Sequence, residues 1–61
     1  MDPVITAFLE QIENMIFHYR EVLASGQAED FAQYREICGK VEGLTLALRE
    51  MKELISKAEG N

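Results

Sequence analysis

The sequence has little of what small proteins use to hold a fold together. Cys38 is the only cysteine, so an internal disulfide and a thiolate-rich zinc site are both excluded. His18 is the only histidine, and no Asp-rich loop has the spacing of calcium ligands. A 61-residue chain buries only ~60% of the surface that its unfolded form exposes. We therefore predict no metal and no cofactor, and expect oligomerisation to supply the missing stability.

Long apolar runs and basic clusters are missing too. The longest apolar run is three residues, far short of a membrane span, and no basic segment precedes an apolar stretch as in a secretory signal. Eleven acidic and six scattered basic side chains give a net charge of −5, which repels nucleic acid. We expect a cytoplasmic protein that binds neither membranes nor nucleic acid directly.

The apolar residues, 48% of the chain, follow a helical period instead. Asp2 and Pro3 form a typical helix start, because Asp caps free N–H groups and Pro tolerates the first helical position. Gly26 provides a left-handed residue that ends a helix. The first helix is predicted over residues 3–25, with an apolar stripe of Ile5, Leu9, Ile12, Ile16, Tyr19 and Leu23 and a margin of Phe8, Met15 and Val22.

A second helix is predicted over residues 30–58, after a turn at 26–29. Asp30 and Gln33 have the spacing of a capping box, in which the two side chains cap the helix start reciprocally. The stripe of this helix consists of Tyr34, Ile37, Val41, Leu44, Leu48, Met51, Ile55 and Ala58, with Phe31, Cys38 and Thr45 on one margin.

These elements predict one all-α domain over residues 1–61, an antiparallel helical hairpin, because so short a turn forces consecutive helices side by side. Three apolar positions per heptad suit a bundle in which each helix has more than one neighbour. The longer second helix is expected to project about two turns beyond the first, exposing Met51, Leu54 and Ile55. Both arguments favour a homodimeric four-helix bundle.

Six residues are candidates for contacts with a partner: Gly39, Gly43, Leu46, Leu54, Tyr34 and Arg35. The two glycines lie opposite the main stripe with Leu46 and permit close approach of another helix, or they only weaken or kink the helix. Tyr34 and Arg35 are typical of binding hot spots. Tyr34 also falls on the stripe, which favours a core position with its hydroxyl at the rim.

His18 and Cys38 are the side chains that invite a catalytic interpretation. A general base needs a nucleophile and a concave pocket, which two helices do not supply alone. We therefore predict no enzyme, with Cys38 as a small core residue. A site shared between chains is the remaining catalytic alternative.

The segment from Gly26 to Leu44 resembles a pattern in short uncharacterised helical-hairpin proteins of tailed bacteriophages. The shared features are a glycine turn, an Asp-aromatic pair, a Tyr-Arg pair and two glycines four residues apart before a Leu. The resemblance covers about a third of the chain and implies a phage protein, in the host cytoplasm or the virion. It implies a role in virion assembly, with a phage structural protein as partner, or the blocking of a host protein. A small acidic inhibitor of a host enzyme or defence protein is the alternative.

Overall fold

The computed structural model describes residues 2–60, and it consists of two α-helices that pack as an antiparallel hairpin. Helix α1 spans Pro3–Ala24 and helix α2 spans Phe31–Ala58. The predicted all-α hairpin is confirmed. Each helix is one residue shorter at the turn than predicted, because Ser25 and Asp30 act as caps and lie outside the helices.

The two helix starts are fixed by aspartate side chains, as predicted. The Val4 N–H donates to Asp2 Oδ1 at 2.7 Å, and the Gln33 N–H donates to Asp30 Oδ1 at 2.8 Å. Gln33 Oε1 in turn accepts a hydrogen bond from the Glu29 N–H at 2.6 Å. The two side chains therefore cap the helix start reciprocally. The Gln33 side chain accepts from the N–H of Glu29, one residue before the Asp30 N–H that a standard capping box uses.

The end of α1 is a Schellman turn. Gly26 has a φ of +73°, in the left-handed region that glycine adopts without strain. The Gly26 N–H donates to the Leu23 carbonyl at 3.3 Å, and the Gln27 N–H donates to the Val22 carbonyl at 3.2 Å. These two bonds satisfy carbonyls that the end of a helix otherwise leaves free.

The core between the helices is small. Within residues 2–60 the buried hydrophobic side chains are Leu9, Ile12, Ile16 and Ile37. Most of the other stripe residues are half-buried, and the stripe positions Ile5, Tyr34 and Ala58 are exposed. No described side chain is completely enclosed. Two helices cover only one face of each other, so the wide stripes stay partly uncovered.

The register of the helices follows from two contacts between side chains. Glu13 and Lys52 form an ion pair at 3.2 Å, although Glu13 is ten residues from the start of α1 and Lys52 six from the end of α2. Lys40 lies over the Tyr19 ring, although Lys40 is nine residues from the start of α2 and Tyr19 five from the end of α1. Helix α2 therefore projects past α1 at the turn, and at the open end α1 reaches at least as far as α2.

The prediction that α2 projects at the open end, exposing Met51, Leu54 and Ile55, is accordingly wrong. Met51 and Ile55 are half-buried, and Leu54 alone of the three is exposed. The physical reason is the turn, where Asp30 has extended backbone angles of −150° and 177°. The chain continues past the end of α1 before it reverses, and the first turns of α2 project there.

The cap at Asp30 gives a testable contribution to stability. Asp30→Ala removes the acceptor for the Gln33 N–H and is expected to cost ~1 kcal/mol. For a domain of this size the midpoint of thermal unfolding, followed by circular dichroism, should fall by about 4–8 °C. Glu29→Ala is the matched control, since Glu29 uses only its backbone N–H in the cap. Equal midpoints for the two variants would contradict this assignment.

Candidate protein interaction surfaces

The hairpin exposes more large hydrophobic side chains than it buries. Four hydrophobic residues are buried within the described chain. The exposed ones are Val4, Ile5, Phe8, Met15, Phe17, Phe31, Tyr34, Leu46 and Leu54. Apolar surface of this extent on so small a chain is typical of proteins that bind a partner.

The projecting start of α2 carries a groove, which we call the turn-end groove. It has a volume of about 360 Å³ and is lined by Phe31, Tyr34, Arg35, Cys38, Gly39 and Glu42. The Phe31 and Tyr34 rings stack with their centroids 6.3 Å apart. Because Gly39 has no side chain, the surface between the aromatic rings and Glu42 stays open. The groove therefore combines an aromatic wall with one positive and one negative side chain.

Three of the six predicted contact residues, Tyr34, Arg35 and Gly39, come together in the turn-end groove. Tyr34 is 47% exposed, so its predicted core position is wrong for the hairpin. Its stripe position lies on the part of α2 that projects past α1, where α1 cannot cover it. Phe31 was predicted only as a margin residue. Its spacing of three residues from Tyr34 was the sequence signal that could have placed the two rings together.

The remaining predicted contact residues lie elsewhere on α2. Leu46 is exposed on the outer face, opposite the core, whereas Gly43 and Leu54 are exposed on the flank of α2 that precedes the core positions. A Cβ atom added at Gly39 or Gly43 would meet no atom within 4 Å. The hairpin itself therefore contains no close approach that requires either glycine.

The two contacts that set the register also identify two sides of the hairpin. Successive residues in an α-helix are turned by about 100°, so residues directly before and directly after a core position lie on opposite sides. Glu13 and Lys52 directly follow the stripe residues Ile12 and Met51, and their ion pair marks one side. Lys40 directly precedes Val41, and its Nζ atom lies 5.4 Å from the Tyr19 ring centroid on the other side.

The side with Glu13 and Lys52, which we call the charged side, holds two shallow concavities. One of about 450 Å³ is lined by Thr45, Leu48, Arg49, Lys52, Glu53 and Ser56. A second of about 330 Å³ is lined by Glu13, Ile16, Phe17, Arg20, Thr45 and Leu48. Both combine apolar floors with charges of both signs at the rim. Such surfaces suit contact with another polypeptide, in which apolar and charged groups alternate.

The opposite side, which we call the uncharged side, is formed by exposed apolar residues that directly precede stripe positions. Its members towards the open end are Val4, Phe8 and Met15 of α1 and Ala47 and Leu54 of α2. The ion pair between Lys40 and Glu36, at 3.5 Å, bounds it towards the turn. Gln11 and Glu50 also directly precede stripe positions, and Glu50 lies only about 40° round α2 from Leu54, so both are polar residues at the edge of this side. The uncharged side is therefore mainly apolar on both helices, with Gln11 and Glu50 at its edge.

His18 and Cys38 lie on different helices, in ordinary surroundings. His18 is exposed, with its ring centroid 5.6 Å from that of Tyr19. Cys38 is half-buried and lines the turn-end groove. Between Asp2 and Gly60, no three His, Cys, Asp or Glu side chains cluster closely enough to hold a metal ion. Neither α1 nor α2 is both long and apolar enough to span a membrane.

Comparison with known protein families, curated proteins and solved structures gives no match to this chain.

Proposed function

We propose that this chain is a non-enzymatic interaction protein that acts by packing apolar helix surfaces against other helices, first of all as a homodimeric four-helix bundle. The observation that carries the proposal is the excess of exposed over buried large hydrophobic side chains. Burying apolar surface contributes about 25 cal/mol per Å², and the hairpin leaves much of its own uncovered. Association with further helices supplies that burial.

The biological role that we propose is in the assembly or structure of a tailed-phage virion, with a phage structural protein as partner. The support is the resemblance of the segment from Gly26 to Leu44, of which Tyr34, Arg35 and Gly39 line the turn-end groove. An exposed aromatic pair beside an arginine has the composition of a binding hot spot. The turn-end groove is therefore the proposed contact with the structural protein.

A second candidate function is an acidic inhibitor of a host enzyme or defence protein. The supporting observation is the charge of −5 together with its distribution. In the described residues, Glu13 and Glu36 are the acidic side chains that form ion pairs, and they engage Lys52 and Lys40. Most acidic side chains therefore remain available to a basic partner.

Salt dependence distinguishes the two functions. Between low salt and about 1 M NaCl the Debye length falls to about 3 Å, so charge-based binding weakens steeply while apolar packing holds or tightens. We expect the dissociation constant of the complex, with itself or with a purified partner, to change less than about threefold over this range. A loss of binding by two orders of magnitude would instead show that binding depends on charge, as the acidic inhibitor requires.

A further inference from the structure

The exposed apolar residues are divided between surfaces of different character. Phe17 is 66% exposed on the charged side, next to Glu13 and Arg20. Phe8 is 53% exposed on the uncharged side, with Val4 and Met15 on the same flank of α1. The two phenylalanines are similarly exposed in one helix, and they differ in whether charged side chains surround them.

We propose that the uncharged side is the surface through which two copies of this chain associate, each hairpin laying Val4, Phe8, Met15 and Leu54 against the same side of the other. This inference rests on the proposed self-association and assigns its surface. The residues that line the turn-end groove lie on the opposite flank of α2 from Leu54, so the groove stays free in this dimer. A dimer could therefore bind two copies of a further partner.

Charge is the first argument for a second copy as the occupant. Each copy carries a formal charge of −5, and like charges brought together across an interface are destabilising. The uncharged side lets two such copies meet while most of their acidic side chains lie on other faces of the hairpins. A basic partner would gain little from this side, because Glu50, at its edge, is the one carboxylate that its described residues present between the Glu36–Lys40 pair and the open end.

Area and symmetry are the second argument. From the exposed fractions of Val4, Phe8, Met15 and Leu54, each copy has on the order of 500 Å² of exposed apolar surface on the uncharged side. Two copies would bury about 1,000 Å², which is the lower limit for a specific protein interface. Because both helices contribute, a two-fold axis places four helices around a common core. That core covers Phe8 and Met15, which the heptad pattern marked as contacts to a further helix.

The test compares Phe8→Glu with Phe17→Glu, measured by light scattering after size exclusion and by circular dichroism. We expect the wild type and Phe17→Glu to have twice the monomer mass of 6.9 kDa, and Phe8→Glu to have the monomer mass. A dimer of Phe8→Glu would overturn the assigned surface and leave self-association intact. A wild type that stays monomeric would overturn both the surface and the proposed dimer.

A second pair of variants covers the case in which Phe8→Glu loses its helical structure along with its partner. Phe8→Ala and Phe17→Ala both favour the helix, so they isolate the contact. We expect Phe8→Ala to raise the dissociation constant of the dimer by about tenfold or more, and Phe17→Ala by less than about threefold. Equal effects of the two alanine variants would overturn the proposal.

Discussion

Replacing Ile16 with Asp is expected to abolish the folded hairpin. Ile16 is 7% exposed, the lowest value among the buried hydrophobic residues, and it lies in the middle of the α1 stripe. The substitution removes a buried side chain, worth about 2–5 kcal/mol in comparable truncations, and places a carboxylate in an apolar site. A core this small rarely supplies more than about 3–5 kcal/mol, so the helical signal in circular dichroism should be lost.

Phe17→Asp is the matched control for this experiment. Phe17 is the next residue in the same helix and is 66% exposed on the charged side. It introduces the same carboxylate at nearly the same place in the chain, so any effect on helix propensity is shared. We expect Phe17→Asp to keep the helical spectrum of the wild type. Equal loss of helicity in both variants would show that the core register is wrong.

Replacing Gly39 and Gly43 together with Ala is expected to stabilise the chain markedly. Both glycines lie inside α2, and a Cβ at either position meets no atom within 4 Å. Each substitution gains ~1 kcal/mol because Ala restricts the unfolded chain and favours the helix. For a domain of this size the unfolding midpoint should rise by about 8–16 °C. Thermal unfolding followed by circular dichroism measures it.

Gly26→Ala is the control, and its expected effect has the opposite sign. Gly26 has a φ of +73°, where an added Cβ is strained although the surrounding space is open. We expect this variant to lose about 1–2 kcal/mol and to unfold at a lower temperature. If the double variant instead destabilises the assembled protein, the outer face of α2 is covered by another helix at close range. That result would support the predicted glycine contact surface.

The parts of the fold that could be predicted from the sequence are those fixed by local chemistry. The Asp2 and Asp30 caps and the Gly26 turn each depend on residues a few positions apart, and the structure confirms all three. The stripes also identified the buried residues, because helical periodicity decides which face an antiparallel neighbour covers.

The register between the helices could not be predicted, and the errors at Met51, Ile55 and Tyr34 all follow from it. Register depends on how far the turn carries the chain before it reverses, and the predicted cap at Asp30 fixes where α2 begins but not how far that point lies beyond the end of α1. Because α2 projects at the turn and not at the open end, α1 partly covers Met51 and Ile55 and leaves Tyr34 exposed.

The candidate site was only partly predictable for the same reason. Tyr34, Arg35 and Gly39 were identified as contact residues from their types, and the structure places them in one groove. That Phe31 completes this groove depends on the projection of α2. For the uncharged side, the sequence signal was the third apolar position per heptad, at Phe8 and Met15. The extent of this side could not be predicted, because it depends on which flank of α2 lies beside that flank of α1.

The central claim is that the hairpin completes its core by association, and molar mass against protein concentration tests it most directly. Light scattering should give twice 6.9 kDa at high concentration, and dilution should lower the mass and the helical signal together. The helical signal is expected to fall because the four buried residues of one hairpin give it only marginal stability. A fully helical monomer of 6.9 kDa at every concentration would contradict the claim.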